Sequence, residues 1–387
     1  MGRVSASERQ RFVDVRFQEP RFLDRNLSAG IELFSTRTDF LDISGFESDT
    51  IGAGINFGFP VSDNTGLRIR YRLQTDEINL RDQDVIIDED GIIVLTAAID
   101  ENGQFRNVNE SDLQDGQQIV DFCASAVANP DPNCQAERSD ITSLIGYSFN
   151  WDRRNDPIAP TRGFDFSLSQ DIAGLGGDVQ YLRSEITGAT YRGIFPGVRA
   201  SVRLSGGFIE PYGGDSNILI NNRFFRGGSS FRGFDVAGIG PRQVITLADE
   251  DGNVTDVKPG RALGGKVYYQ ATGELTLPNY LPEEYGIRTK LFVEGGSLGM
   301  LDDEDISDPI FGQIGIGAFG NVGFNGVPVG TNAVSQVKDG LGLRASAGLS
   351  VGWDSPFGPI QFDFSQILRS EDYDRTETFR FSTSTRF

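Results

Sequence analysis

Histidine, the usual general base and the commonest transition-metal ligand, is absent from all 387 residues. A Ser-His-Asp hydrolase, a Cys-His protease and a His-ligated zinc enzyme are thereby excluded. A protease built on carboxylates alone needs no histidine, so any catalysis would have to reside in the acidic residues. These are plentiful, 55 Asp and Glu against 35 Lys and Arg, for a formal charge of −20. Their distribution points away from a catalytic pair. Between Asp76 and Ser139 stand fifteen acids and three arginines, a net of −12. This segment reads as a solvated loop or as a cation site shared with Asp302, Asp303, Glu304 and Asp305. No spacing in it matches an EF-hand, so no metal ligands are assigned. The only cysteines, Cys123 and Cys134, lie in the same segment without histidine or a CxxC pair, and a metal or redox role is not expected of them. The composition thus predicts no enzyme and no cofactor. An acidic chain also lacks the basic face that nucleic acid requires, so no nucleic acid partner is expected.

The elements that must position these residues come from periodicity. A membrane-spanning helix needs about 18 consecutive apolar residues. The longest run, Ile92–Ile99, is far shorter and is broken by Thr96. Met1–Gln10 has no apolar core and does not read as a signal peptide, so the chain is expected to start as a mature segment or a fragment. Strict alternation recurs instead, and alternation puts one residue class on each face of a strand. Leu67, Ile69, Tyr71 and Leu73 alternate with Arg68, Arg70, Arg72 and Gln74. Leu341, Leu343, Ala345, Ala347, Leu349, Val351 and Trp353 alternate with small or polar residues. Thirteen such segments are predicted: 12–18, 27–36, 50–59, 66–75, 140–152, 163–170, 179–192, 197–208, 265–277, 287–298, 341–353, 359–366 and 377–387. The seventh is ambiguous, because Tyr181 and Tyr191 share a face with Arg183 and Glu185.

Many of these segments exceed the about 5–6 residues of ordinary strands and suit a tilted crossing of a ~30 Å hydrocarbon layer. The connections alternate too. Short ones follow the first, third, fifth, seventh, ninth and eleventh segments, with prolines at Pro20, Pro60, Pro157 and Pro160, Pro196, Pro278 and Pro282, and Pro356 and Pro359. Long ones occupy about 76–139, 209–264 and 299–340. Sorting of loops by parity is a property of outer-membrane barrels, with tight periplasmic turns and long extracellular loops. The fold expected is therefore all-β, a transmembrane antiparallel β-barrel in a bacterial outer membrane with its C-terminus on the periplasmic side. Only the lipid face must be apolar, which accounts for 38% hydrophobic residues. Glycines at inward positions such as Gly52, Gly54 and Gly348 would relieve crowding. The 76–139 segment then lies outside the cell, where it could bridge lipopolysaccharide, and Cys123 with Cys134 is expected to staple it as a disulfide.

Two features exceed a generic barrel. The chain ends Thr378-Phe379-Arg380-Phe381-Ser382-Thr383-Ser384-Thr385-Arg386-Phe387, similar to the C-terminal β-signal of outer-membrane proteins, with Phe379, Phe381 and Phe387 on one face. The long 209–264 loop contains Phe224-Phe225-Arg226-Gly227-Gly228-Ser229-Ser230-Phe231-Arg232-Gly233-Phe234 and then Ile239-Gly240-Pro241. This stretch resembles the RGF and IGP signature of the BamA/TamA superfamily of outer-membrane insertases and two-partner-secretion transporters. Asn150–Pro157 with Thr161-Arg162-Gly163, and Ser355–Ile360, extend the resemblance over nearly the whole chain and favour the BamA type.

The resemblance implies an insertase that folds β-barrel clients into the outer membrane. Its partners would be membrane lipids and lipopolysaccharide, nascent barrel proteins, and periplasmic lipoproteins of an assembly complex. A TamA-like or secretion transporter is the alternative, and a diffusion porin is less expected because the RGF loop would fill it. In the family that loop folds into the lumen and its arginine meets acids on the wall. Parity here puts Glu274 on the face of Lys266, Gln270 and Thr272, and Glu294 on the face of Arg288 and Lys290, so both acids should face Arg232. A charge-assisted bond to either would anchor the loop at Arg232, Gly233 and Phe234. The family's Phe-x-Asp-x-Gly reads Phe292-Val293-Glu294-Gly295-Gly296 here, with Glu in place of Asp. Family barrels have sixteen strands after periplasmic POTRA domains. Alignment from the C-terminus leaves the first three strands and the POTRA domains out, residues 1–10 as a remnant, 11–387 as barrel, and Phe12–Gln18 as an unpaired edge.

Overall fold

The computed structural model describes the chain except residues 1, 7–8, 81–83, 88–92, 96–97, 100–104, 107–117, 122–136, 214–217, 249–253, 279–284, 302–331, 356–357 and 384–387. Cys123, Cys134, Phe387 and the Asp302–Asp305 acids lie outside the described residues. Fourteen antiparallel strands form one sheet, each bonded to its neighbours in chain order. They are β1 (Gly2–Ala6), β2 (Gln10–Glu19), β3 (Ser28–Phe40), β4 (Phe46–Ser62), β5 (Thr65–Leu80), β6 (Glu137–Asp152) and β7 (Arg162–Gly177). The second half comprises β8 (Tyr181–Phe195), β9 (Val198–Pro211), β10 (Val267–Leu277), β11 (Ile287–Gly299), β12 (Arg344–Ser355), β13 (Gly358–Arg369) and β14 (Phe379–Thr383).

All thirteen expected strands are present, and three expectations are corrected. Residues 1–10 are not merely a remnant, because Gly2–Ala6 pairs with Arg11–Val15. Phe12–Gln18 is consequently no edge, since β2 is bonded to β1 on one side and β3 on the other. The acidic segment also begins later than residue 76. The period-2 pattern of β5 continues through Asp76 and Ile78, which are 1% and 4% exposed on the inner face with Arg72 and Gln74. The Asp76 carboxylate accepts hydrogen bonds from Thr50 Oγ1 (2.8 Å), Gln74 Nε2 (2.9 Å) and Thr142 Oγ1 (2.9 Å). An acid so bonded belongs to the wall, whatever the charge of the loop beyond it. Pro60 and Pro359, read as turn residues, sit within β4 and β13 near their short-turn ends.

The two faces divide as alternation requires. Exposed apolar residues line the outside: Val13, Val15 and Phe17 on β2, Ile69, Tyr71 and Leu73 on β5, and Val202, Leu204 and Phe208 on β9. The inner face carries ion pairs, among them Arg72 with Glu32 (2.7 Å) and Arg70 with Asp171 (2.7 Å). A soluble protein does not bury its charges and expose its Val and Leu over a whole sheet, whereas a barrel in lipid must. On β8, Tyr181 is buried on the inner face with Arg183 and Glu185, which resolves the ambiguous segment in favour of an aromatic lumen. Two inward glycines have a definite use. Gly52 stands opposite Phe34 and Gly348 opposite Phe292, and a Cβ on either glycine would strike the facing ring.

The connection from β9 to β10 turns inward and fills the lumen. It touches Phe40 and Phe46 at the long-loop ends of β3 and β4 through Phe225, Arg183 of β8 through Phe224, and Glu294 of β11 through Arg232. One loop reaches strands this far apart only because the sheet curls around it. A core of Phe224, Phe231, Phe234, Ile239, Tyr268 and Leu298 packs around the loop. Beyond the wall, Arg242–Ala248, Val254–Ala262 and Asn332–Lys338 form a small sheet that ties two long loops together.

Candidate functional site

The inward loop is shaped by glycines. Phe224 and Gly265 exchange N–H···O bonds of 2.9 Å in both directions and close its base. Gly227, Gly228 and Gly233 all have positive φ, at 131°, 60° and 91°. The Gly228 N–H donates to the carbonyls of Phe234 (2.8 Å) and Asp235 (3.0 Å), which folds the tip back on itself. Side chains with a Cβ resist these backbone angles, so the glycines of the RGF stretch are a conformational requirement. Phe231 and Phe234 are 1% and 0% exposed and meet edge to face at 5.2 Å. These two rings hold the tip by apolar burial, and Arg232 projects between them toward the wall.

Arg232 meets both acids expected of it. Its Nε donates to Glu294 Oε1 at 2.8 Å, and its Nη2 donates to the same oxygen at 2.5 Å and to Glu274 Oε1 at 2.9 Å. Its Nη1 donates to Ser350 Oγ at 3.0 Å. Glu294 Oε2 accepts from the Arg232 backbone N–H at 2.9 Å. The carboxylate thus spans side chain and main chain of one residue, a reach that the additional methylene of Glu over Asp provides. The Arg232 guanidinium also lies 3.9 Å from the centroid of the Phe292 ring, a cation–π geometry. Lys290 Nζ binds the other oxygen of Glu274 at 3.0 Å, so two cations and two carboxylates form one network. Arg232 and Glu294 are nearly sequestered, with side chains 8% and 5% exposed. Gly296 faces the Tyr269 backbone so closely that a Cβ would collide with it. Gly233 packs against Ser346 and Ile367 and accepts from the Glu377 N–H at 3.0 Å.

Several supporting groups escaped sequence reasoning. Ser346 Oγ donates to the Arg232 carbonyl at 2.6 Å, Gln270 Nε2 donates to the Ser230 carbonyl at 2.8 Å, and Ser350 Oγ bonds onward to buried Asp363. Larger still is a clasp at the long-loop end. Arg344 Nε and Asp374 Oδ2 are 3.0 Å apart, with both side chains 0% exposed. Arg344 also donates to Tyr373 Oη (3.2 Å), Ser297 Oγ (3.2 Å) and the Gly342 carbonyl (2.8 Å). Burial raises the Asp374 carboxyl above its ordinary value, and the Arg344 hydrogen bond opposes that shift. The inward parity of Arg344 was a legible signal. Asp374 lies in an irregular connection where no period marks a face.

The clasp leads directly to the last strand. Between Arg369 and Phe379 the chain also pairs with the inward loop. The Asp235 N–H donates to the Arg375 carbonyl and the Arg375 N–H to the Gly238 carbonyl, each at 2.9 Å. β14 follows with five residues, all paired to β13. Phe379 and Phe381 stack on Phe364 and Phe362 at 5.2 and 5.4 Å on the outer face, 48% and 52% exposed. Among the described residues β1 and β14 are the two edges of the sheet, with no bonds between them.

Comparison with known proteins places these features. The Omp85 superfamily domain matches residues 2–387. The outer membrane protein assembly factor BamA of Neorickettsia risticii is 29% identical over 242 residues, 62% of this chain and 27% of that protein. The sorting and assembly machinery component 50 homolog of Bos taurus is 30% identical over 185 residues, 46% of this chain and 35% of that protein. The chain therefore matches only about a quarter to a third of the length of these relatives. Among solved structures, BamA from Haemophilus ducreyi lacking POTRA domains 1–3 superposes with a TM-score of 0.68 at 18% identity, covering 99% of this chain and 63% of that one. That likeness is one of fold.

Proposed function

The chain belongs to the Omp85 superfamily, and from that premise we propose that it is the barrel domain of an assembly factor that folds β-barrel proteins and inserts them into a bacterial outer membrane. The observation that carries the reading is the last strand. Among the described residues β14 (Phe379–Thr383) is bonded to β13 alone, and its other side is a free edge. An edge strand presents unpaired N–H and C=O groups, and an extended client segment can satisfy them by strand addition. In lipid such groups are costly when unpaired, so a client strand is drawn to that edge. The protein does this without covalent chemistry. The short turns and the C-terminus face the periplasm, and the acidic loops face outward. Lipids and lipopolysaccharide, nascent barrel clients and periplasmic assembly-complex lipoproteins are the partners of this reading. The Arg232 network anchors the inward loop, which keeps the lumen filled while the edge is open.

The test is depletion of the full-length protein, with plasmid copies restoring it. Outer-membrane barrel proteins should fall on depletion and recover with the wild-type copy. A cysteine at Ser382 should form a disulfide with a cysteine in the terminal strand of a stalled client. Unchanged barrel protein levels on depletion would sink the proposal.

A further inference from the structure

A second site lies at the opposite end of the lumen from the Arg344 clasp. A cavity of about 380 Å³ opens at the short-turn mouth between β9, β10 and β11. Five cations line it, Arg154, Arg199, Arg203, Arg288 and Lys290, against one acid, Glu274. In a chain of net charge −20 this is a local inversion. Three of the cations are spoken for: Arg154 by Asp152 (2.6 Å), Arg288 by Asp354, and Lys290 by Glu274 (3.0 Å). Among the described residues Arg203 donates to the neutral Tyr191 hydroxyl (3.3 Å), and Arg199 has no acid in ion-pair contact, its nearest electrostatic partner being Asp156 of the β6–β7 turn. Two arginines on one strand with no acid in contact repel each other and the neighbouring cations.

Their spacing specifies what would neutralise them. Arg199 and Arg203 are four residues apart on β9, about 13 Å along the strand at roughly 3.3 Å per residue. Between them Ser201 stands opposite Glu274 of β10. An extended peptide with carboxylates at i and i+4 would match the two arginines, and a carboxylate at i+2 would meet Glu274 and be repelled. The cavity is on the inner face, walled from lipid by the sheet, so a polypeptide entering from the mouth fits it better than a lipid headgroup. Arginine favours carboxylates through planar paired hydrogen bonds.

We propose that the short-turn mouth of the lumen is a docking surface for an extended acidic polypeptide segment, whose carboxylates at i and i+4 take Arg199 and Arg203. Glu274 is bonded to Lys290 through one oxygen and to Arg232 through the other. Assignment of the partner to the periplasm rests on the proposed function, whereas the binding chemistry does not.

The experiment uses the full-length protein in detergent micelles and a fluorescent peptide, Gly-Glu-Ala-Thr-Ala-Glu-Gly, with Gln replacing both Glu in its control. Anisotropy should show binding of the Glu peptide alone, weakening as salt screens the charges. R199Q with R203Q should weaken it about tenfold or more, the loss expected from removing charged hydrogen bonds. R199K with R203K, which keeps the charges but loses the paired bonds, should bind between wild type and R199Q with R203Q, and R192Q, on the lipid face of β8, should leave binding unchanged. E274Q, which removes the acid facing the ligand between the two arginines, should tighten it. Equal binding of the Gln peptide, or equal behaviour of the R199Q/R203Q and R192Q proteins, would overturn the proposal. So would displacement of the peptide by phosphatidylglycerol vesicles in an Arg199-dependent manner, which would make the surface a lipid site. Each of these outcomes is independent of whether depletion lowers barrel protein levels.

Discussion

Replacing Arg232 by Ala tests the anchoring network most directly. The change removes four side-chain hydrogen bonds and the cation over Phe292. The larger effect is on what stays behind. Glu294 is 5% exposed, so its charge would be left in the wall with only the backbone N–H at position 232 as a donor. Breaking a buried ion pair by deleting one partner costs about 3–5 kcal/mol, because the survivor is desolvated and unpaired. Glu274 adds less, since it is partly exposed and retains Lys290. Unfolding in lipid vesicles, followed by urea titration with heat-modifiable gel mobility, should therefore report a loss of about 3–5 kcal/mol. E294Q combined with R232A should recover part of that loss, because the stranded charge is gone, and the double-mutant cycle should show coupling above about 1 kcal/mol. Strictly additive single losses, or an R232A loss below about 1 kcal/mol, would refute the idea that a buried ion pair holds the loop.

Three further expectations follow from the same geometry. E294D should keep the side-chain pair but lose the bond to the Arg232 backbone, costing about 0.5–1.5 kcal/mol in the same titration; a cost equal to that of R232A would show that the backbone bond is not separable. D374N should loosen the clasp and speed amide hydrogen exchange across Phe379–Thr383 more than across β6, because the segment entering β14 is bonded to the inward loop; equal exchange in the two strands would contradict this coupling. Asp156, in the β6–β7 turn, accepts backbone N–H bonds from Ala159 and Ile158, and these hold its carboxyl below its ordinary value of 3.8. Because the folded value is the lower one, its contribution is complete above the unfolded value and lost as pH falls through the folded one; a ¹³C titration of this carboxyl with a midpoint at or above 3.8 would refute it.

What the sequence revealed and what it hid have the same physical origin. A strand whose two faces meet different solvents writes a period of two, and every strand from β2 to β14 carries it. β1 offers only Gly-Arg-Val-Ser-Ala, too short for a period to show. At Asp76 the wall carries an acid on its inner face, and composition alone merges it with the acidic loop beyond. Glu274 and Glu294 were legible beside Arg232 because parity fixes the face of a strand residue, and lumen-facing acids need a cation. Asp374 and Tyr373 sit in an irregular connection, where side-chain direction depends on tertiary contacts. Arg344 could be placed inside, but nothing local named its partner.

The inward loop solves a problem that hydrogen bonding in the sheet cannot. Backbone bonds tie each strand only to its two neighbours, so they resist shear along the wall but contribute nothing across the lumen. The cross-lumen ties come from the loop: Phe225 at β3 and β4, Phe224 at β8, Arg232 at β10, β11 and β12, and Gly233 to Gly238 at the entry to β14. Buried Phe224 adds about 1.5–3 kcal/mol and partly buried Phe225 less, and the Arg232 network adds a directional lock that apolar packing lacks. The bonds between the inward loop and Arg375 tie the entry of β14 to the loop as well as to β13, which fixes the register of the strand where it joins the wall.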